Sequence, residues 1–361
     1  MNKVRKQKKQ KRGHSDYRLI LVVLMIMIYG FLILYSVSPS DAMSQLSKIA
    51  IGLVLAFIVS VFDYHNYEKM SFGIYVVAFL LCMLVLFAGK AGNGSTRWLS
   101  IGRFQFQPSE FAKLALIIVL AAYIPRCGKH IDSFKAVLAS FILTGVLVLP
   151  VLKSNLSTAA IIATIWFVMM VIACKKLHSV LICTLFGIIG GLIGILSKGY
   201  RAGRVSAWLH PEKSSSDDAY QTIQGMYAIG SGGLTGKGFG QSIQKNLLPE
   251  KQNDMIFSIL CEEMGFFGAI LLIIMYLYLL WRLLRIAMNA RDQFGSFIAI
   301  GVLAHISIQI VLNIMVVTNM IPNTGVILPF VSSGGSAVII LLLEMGIVLS
   351  VSRQADGMVM L

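Results

Sequence analysis

Charge is scarce in this sequence. Only 13% of its 361 residues are Asp, Glu, Lys or Arg, roughly half the share of a soluble globular domain. Acids are rarest: 16 stand against 31 Lys and Arg, a formal balance of +15. The five cysteines, Cys82, Cys127, Cys174, Cys183 and Cys261, form no Cys-x-x-Cys pair and no Cys/His ligand spacing. A zinc site and a disulfide framework are therefore not expected, and these residues read as small apolar side chains. The six histidines are scattered, so neither a histidine-based hydrolytic triad nor a histidine metal site is expected. A Walker A loop is also missing: the residue five before Gly236 is Ser231, and Lys237 is followed by Gly238, where the motif demands Gly and Ser or Thr. No repeat and no Ser/Gly/Pro linker divides the chain, which reads as one domain.

In place of charge there is hydrocarbon. The chain is 57% hydrophobic with a mean hydropathy of +0.79, too much to hide in one soluble core. Apolar runs fall at 18–38, 46–62, 70–88, 109–124, 136–152, 157–174, 179–197, 255–281, 295–321 and 336–351. Their lengths approach the ~20 residues that span a bilayer as a helix. Barrel strands would alternate weakly instead. The expected fold is an all-α integral membrane protein with ten transmembrane helices and a long extracellular loop, 198–254, between helices 7 and 8. The first run reads as an uncleaved helix, since no small-x-small cleavage site follows it.

The cations sort by side. The N-terminal side holds the tail together with Lys69, Arg126, Lys129, Lys135, Lys175, Lys176, Arg282, Arg285, Arg291 and Arg353. The short loops opposite hold Lys48, Lys90, Arg97, Arg103 and Lys153. The positive-inside rule then makes both termini cytoplasmic. Residues 1–17 form a basic cytoplasmic tail, 18–353 the ten-helix domain and 354–361 a short cytoplasmic tail. The basic tail has no interleaved aromatics, so it suits anionic lipid rather than nucleic acid.

Four polar clusters fall at the outer side. The first holds Arg97 and Trp98, then Gln107-Pro108-Ser109-Glu110 and Lys113; Glu110 and Lys113 share a helix face. The second holds Gln221, Gln224, Ser231 and the glycines around Lys237. Those glycines could present backbone amides to an anion or simply make a tight turn. The third runs from Asp254 to Glu262 and Glu263. Two adjacent acids in an apolar helix point about 100° apart, so at least one faces the bundle interior. A plain helix cap is the alternative for Asp254. The fourth pairs Gln309 with Asn313, one turn apart, then runs from Pro322 through Gly325 and Pro329 to Ser332 and Ser336. Interhelical hydrogen bonding is the simple account of that amide pair. Pro and Gly-Gly at this level predict an irregular segment, tolerated where it is buried in protein or lines a cavity. Such an outer cavity suits an anionic, lipid-linked, sugar-like substrate.

These clusters, in this order, resemble the signature of the SEDS family, which comprises FtsW, RodA and SpoVE. The resemblance covers nearly all of the chain after the basic tail. Asn155 in Ser154-Asn155-Leu156-Ser157-Thr158 stands where the family often has an acid, so no carboxylate role carries over there. That stretch, with Gln252-Asn253-Asp254 and Cys261-Glu262-Glu263, is closer to the division and sporulation branch than to RodA. The resemblance implies a peptidoglycan polymerase that transfers a lipid-linked glycan strand onto lipid II at the outer membrane face. It implies a class B penicillin-binding protein as transpeptidase partner, alongside other division proteins. It also maps the family's essential loop aspartate onto Asp254, the expected general base of an inverting transfer. The expected substrate-binding residues are Arg97, Glu110, Lys113, Gln221, Gln224, Ser231, Lys237, Glu262, Glu263, Gln309, Asn313 and Ser332. Arg97, Lys113 and Lys237 are the candidates to meet the leaving pyrophosphate, with Mg²⁺ or Mn²⁺ as a further candidate and no nucleotide or organic cofactor. The rival readings are a lipid II flippase and a non-catalytic division scaffold.

Overall fold

The computed structural model describes residues 16–92, 95–101, 104–196, 208–209, 217–249 and 251–355. Most of both tails, Arg103, and the loop residues 197–207 and 210–216 lie outside the described residues. Among the described residues, nine helices are long and apolar enough to cross a membrane. They are α1 (Tyr17–Val37), α2 (Pro39–Val61), α3 (His65–Ala88), α4 (Pro108–Cys127), α5 (Phe134–Ser154), α6 (Leu156–Ala173), α9 (Ile256–Asn289), α10 (Gln293–Val317) and α11 (Gly335–Gln354). A further apolar helix, α7 (His178–Leu196), occupies the seventh predicted run, and α8 (Asp217–Ser231) is a short helix inside the long loop.

Side chains with oxygen acceptors fix where several helices begin. Asp16 accepts the backbone N–H groups of Arg18 and Leu19 and starts α1. Ser133, Asn155 and Asp292 do the same for α5, α6 and α10. Each cap occupies donors that the first turn of a helix leaves unpaired. Asn155 is thus a cap bonded to the Thr158 N–H at 3.2 Å.

Two helices form the centre. Of their spanning stretches, 67% of α4 and 83% of α11 is buried, against 22% of α2. Small residues bring the backbones together, as bilayer packing requires. A Cβ placed on Gly346 of α11 would come within 2.5 Å of the Ala56 carbonyl of α2. One placed on Gly301 of α10 would lie 2.6 Å from Ile117 of α4.

The structure adds one feature to the all-helical expectation. Residues 90–106 carry three short antiparallel strands, β1 (Lys90–Gly92), β2 (Ser95–Ile101) and β3 (Phe104–Phe106), in the order β1-β2-β3. Strands this short carry too little alternation for a periodicity signal. The ninth helix is also longer than its run, 34 residues with a break at Gly265.

The helix ends alternate between two faces. The face with α8 and the strands is called the loop end here; the other holds the ends of α1 and α11 nearest the chain termini. There the buried Asp16 carboxylate pairs with Arg282 of α9, and its backbone N–H donates to Ser352 Oγ of α11 at 2.9 Å. Arg282→Leu strands a buried carboxylate, so we expect a loss of about 3–5 kcal/mol, read as a lower unfolding temperature in detergent. Tyr64 and His65 tie the same face to Asp292, with His65 Nε2 3.1 Å from Asp292 Oδ2 and Asp63 bonded to His65 Nδ1. Partial burial works to raise Asp63, but hydrogen bonds from His65 and Gln354 outweigh it and hold this carboxyl below its ordinary value.

Candidate active site at the loop end

Asp254 precedes the first turn of α9 and is 5% exposed. Its side chain does not cap that helix: Met255 is the cap residue, with no side-chain bond. Instead the Gln221 amide of α8 donates to Asp254 Oδ1 at 3.3 Å. Gln221 is itself held by Asn323, whose Nδ2 donates to Gln221 Oε1 at 2.9 Å. Asn313, at the loop end of α10, donates from Nδ2 to the backbone carbonyls of Asp254 and Val326, both at 2.8 Å. Gln221 of α8 thus bonds the carboxylate itself, Asn323 in the segment after α10 orients Gln221, and Asn313 of α10 holds the Asp254 backbone.

That segment, residues 318–334, has no regular helix, as the Pro and Gly pattern predicted. It is deeply buried, with Leu328, Phe330, Val331 and Ser332 at 3% exposure or less. Side chains supply the bonds that its backbone cannot make to itself. Ser332 Oγ accepts the Leu328 N–H at 2.8 Å, and Tyr276 of α9 donates to the Pro329 carbonyl at 2.6 Å. Ser157 of α6 donates to the Thr324 carbonyl at 2.9 Å, and Gln45 of α2 to the Ser332 carbonyl at 3.3 Å. This satisfies the requirement that backbone at membrane depth be paired. Gly325, at φ +63°, passes beside the aspartate; a Cβ there would lie 3.8 Å from Asp254 Oδ2.

The glycine loop after α8 does different work. Gly265 interrupts α9 at φ +65°, ψ −164°, a region open in practice only to glycine. The break frees carbonyls and amides of the α9 backbone. The loop pairs with them: the Lys237 and Gly238 N–H groups donate to the Glu262 and Glu263 carbonyls at 2.9 and 3.0 Å. In return the Phe266 and Phe267 N–H groups donate to the Gly233 and Leu234 carbonyls at 2.9 and 3.1 Å. Two of the amides considered for anion binding are thus engaged with α9.

The side chains lock the same joint. Glu262 is fully buried. It receives Lys237 Nζ at 2.6 Å, the Ile243 and Gln244 N–H groups at 3.2 Å each, and the Ser242 hydroxyl. The Ser231 hydroxyl lies 3.4 Å from it. Glu263, also fully buried, accepts Ser36 of α1 at 2.5 Å and has Lys245 Nζ at 3.9 Å. Both acids face inward, where one at least was expected.

At the start of α4, Lys113 Nζ and Glu110 Oε2 are 2.9 Å apart and both residues are buried. Neither atom makes a hydrogen bond of proper angle. Arg97 of β2 donates from Nε to the Ser154 carbonyl at 3.1 Å, beside the Asn155 cap. Gln309, 2% exposed, leaves its Oε1 without a hydrogen-bond partner. Gln224 is half-buried on α8, one turn beyond Gln221. The structure thus gathers Asp254, Gln221 and Asn313 directly. It sets Glu262, Glu263, Ser231 and Lys237 apart as the joint of the glycine loop, with Ser332 in the irregular segment. Sequence reasoning missed Asn323, Ser242 and Lys245, and a fully buried pair, His305 of α10 with Glu344 of α11 at 2.9 Å. Among the described residues no three His, Cys, Asp or Glu side chains converge as metal ligands.

The sequence pattern of the FtsW/RodA/SpoVE family, described as cell cycle protein, matches residues 17–357. Stage V sporulation protein E of Bacillus subtilis is 37% identical, over 96% of this chain and 99% of its own. A probable peptidoglycan glycosyltransferase FtsW of Geobacter is 32% identical, over 95% and 98%. The peptidoglycan glycosyltransferase MrdB of Escherichia coli is 32% identical, over 94% and 93%. Among solved structures, a chain from a peptidoglycan synthase complex that coordinates polymerization and crosslinking superposes with a TM-score of 0.79 at 27% identity, covering 95% of this chain and 99% of that one. The rod shape determining protein RodA of Thermus thermophilus superposes with a TM-score of 0.70 at 27% identity, covering 95% and 98%.

Proposed function

The chain belongs to the FtsW/RodA/SpoVE family of cell cycle proteins, and from that premise we propose how it acts as a peptidoglycan glycosyltransferase. It transfers the growing lipid-linked glycan strand onto lipid II, in cell division, with Asp254 as the general base. The supporting observation is the setting of Asp254. It is a buried carboxylate that accepts from the Gln221 amide, its backbone carbonyl held by Asn313, at the loop end of the helical bundle.

The acceptor is the 4-hydroxyl of the lipid II GlcNAc. Asp254 takes its proton as the oxygen attacks C1 of the terminal MurNAc on the strand. The new C1–O bond forms while the C1–O bond to undecaprenyl pyrophosphate breaks, with inversion at C1. The leaving group departs with the electron pair and both its phosphates. A positioned base contributes typically about 10²–10⁴-fold. Cations or fixed donors near the leaving oxygens add to this, and Arg97 and Lys113 are the residues proposed for that part. Lys237 is assigned to the glycine loop instead, because Glu262 holds it. A Mg²⁺ or Mn²⁺ ion bound with the pyrophosphate would add positive charge at the leaving oxygens; no step here depends on one.

The loop end is proposed to face outward and both termini the cytoplasm, on the cation asymmetry. Leu234, 65% exposed in the glycine loop, tests this. A Leu234→Cys variant should react with a membrane-impermeant maleimide added outside intact cells. Labelling only after lysis would invert the topology. The partner is proposed to be a class B penicillin-binding protein. Function itself is tested by incubating the purified pair with lipid II and resolving the products by size. A ladder of uncrosslinked glycan is expected when the transpeptidase is blocked.

A further inference from the structure

The ionisable residues outside the site include one pair deep in the bundle. His305 sits near the middle of α10 and Glu344 near the middle of α11, both 0% exposed. His305 Nδ1 lies 2.9 Å from each carboxylate oxygen of Glu344, so a single imidazole N–H covers both. Among the described residues nothing else is shown bonded to that carboxylate, and His305 Nε2 has no hydrogen-bond partner.

A third group stands beside this pair. α4 and α10 run antiparallel and touch where Gly301 meets Ile117. One turn further toward the loop end, Ile117 is succeeded by Lys113 and Gly301 by His305, which sets these two side by side. Lys113 is fully buried, and its ammonium group has Glu110 as its near ion-pair partner. A lysine carries its charge on a flexible four-carbon stem, and Lys113 stands between the Glu110 carboxylate, at 2.9 Å, and the imidazole that covers Glu344.

We propose that His305 is a positioning residue for Lys113. By occupying both oxygens of Glu344, it prevents that carboxylate from drawing the ammonium group away from Glu110 and the loop end. This rests on the assignment of Lys113 to the leaving pyrophosphate. Remove the imidazole, and a bare carboxylate in a medium of low dielectric becomes the strongest attraction that a nearby ammonium group can find. Lys113 then swings inward, and the site loses a cation through a change that touches neither substrate. Misplacing a positioning group by about 1 Å can cost on the order of 10²-fold in rate.

The test is a set of four variants, assayed for glycan synthesis from lipid II with the partner penicillin-binding protein, each checked for folding by its melting temperature in detergent. His305→Leu should lose on the order of 10²-fold. Adding Glu344→Gln to it should return activity to within a few fold of wild type, since no carboxylate remains to capture Lys113. Glu344→Gln alone, close to isosteric, should keep wild-type activity within a few fold. His305→Gln, which can still donate to Glu344, should fall between wild type and His305→Leu. A purely structural pair predicts otherwise: both single variants lose activity in step with their melting temperatures. A tenfold loss in Glu344→Gln, or a double variant no better than His305→Leu, overturns the inference. Should His305→Leu fail to fold, the Glu344→Gln and double-variant arms still decide. If the wild-type protein makes no glycan, the glycosyltransferase reading fails and takes this inference with it; if the wild type is active and the double variant is not rescued, only this inference fails.

Discussion

Asp254→Asn should abolish glycan synthesis, by about 10²–10⁴-fold, while leaving the fold intact. The geometry explains the separation. The substitution is isosteric, and the Gln221 amide that donates to Oδ1 at 3.3 Å still finds a carbonyl oxygen there. Asn313 bonds only the backbone carbonyl at this position, so the attachment of α9 to α10 is unaffected. What disappears is the one group at this point that can accept a proton from a sugar hydroxyl. Melting temperature and binding of lipid II should remain close to wild type, with the loss falling on turnover. A variant that keeps near-normal synthesis would remove Asp254 from the reaction. One that lost binding and stability together would make it a structural residue.

The second large effect concerns the joint between the glycine loop and α9. Gly265→Ala should unseat the loop. Its φ of +65° with ψ of −164° lies where a side chain costs about 1–3 kcal/mol in backbone strain alone. A Cβ there would also collide with the Gly236 nitrogen and the Leu234 carbonyl. Relieving the collision separates the strand-like exchange of hydrogen bonds between residues 233–238 and 262–267. That in turn leaves Glu262 and Glu263, both fully buried, short of the donors that the loop provides. The expected result is a melting temperature several degrees lower and rapid proteolysis within residues 232–249, with polymerisation lost. Gly230→Ala is the control: nothing lies within 4 Å of a Cβ at that position. Equal behaviour of the two variants would contradict this role for the joint.

Much of this architecture was legible in the residues. The apolar runs located every long helix, because a bilayer leaves a spanning helix no other composition. Pro322, Gly325 and the Gly334-Gly335 pair marked the irregular segment because they are poor helix formers at a depth where helices are otherwise required. Asp254 was identifiable as an acid where the long loop meets an apolar run, Gln221 as one of a glutamine pair in that loop, and Asn313 as one of an amide pair on a single helix face. The associations between distant segments were not legible. Glu262 finds Lys237, His305 finds Glu344 39 positions away, and Gln221 finds Asn323. Local pattern says nothing about the segment that will face each of these residues. The glycines after Ser231 could equally have cradled an anion. Only the break at Gly265, one of two glycines in its apolar run, decides that the Lys237 and Gly238 amides pair with α9.

A flippase and a polymerase can share a bundle of this kind, but they differ in what they leave behind. The polar groups that the structure gathers around Asp254 lie at one end of the bundle, which suits chemistry at one membrane face. The decisive measurement places the purified protein and its penicillin-binding partner in liposomes containing fluorescent lipid II. Polymer length and the accessibility of the label to an impermeant quencher are followed in the same sample. A glycan ladder that the wild type makes and Asp254→Asn does not, with no protein-dependent exchange of lipid II between leaflets, is the predicted result. Exchange between leaflets without any polymer would contradict it.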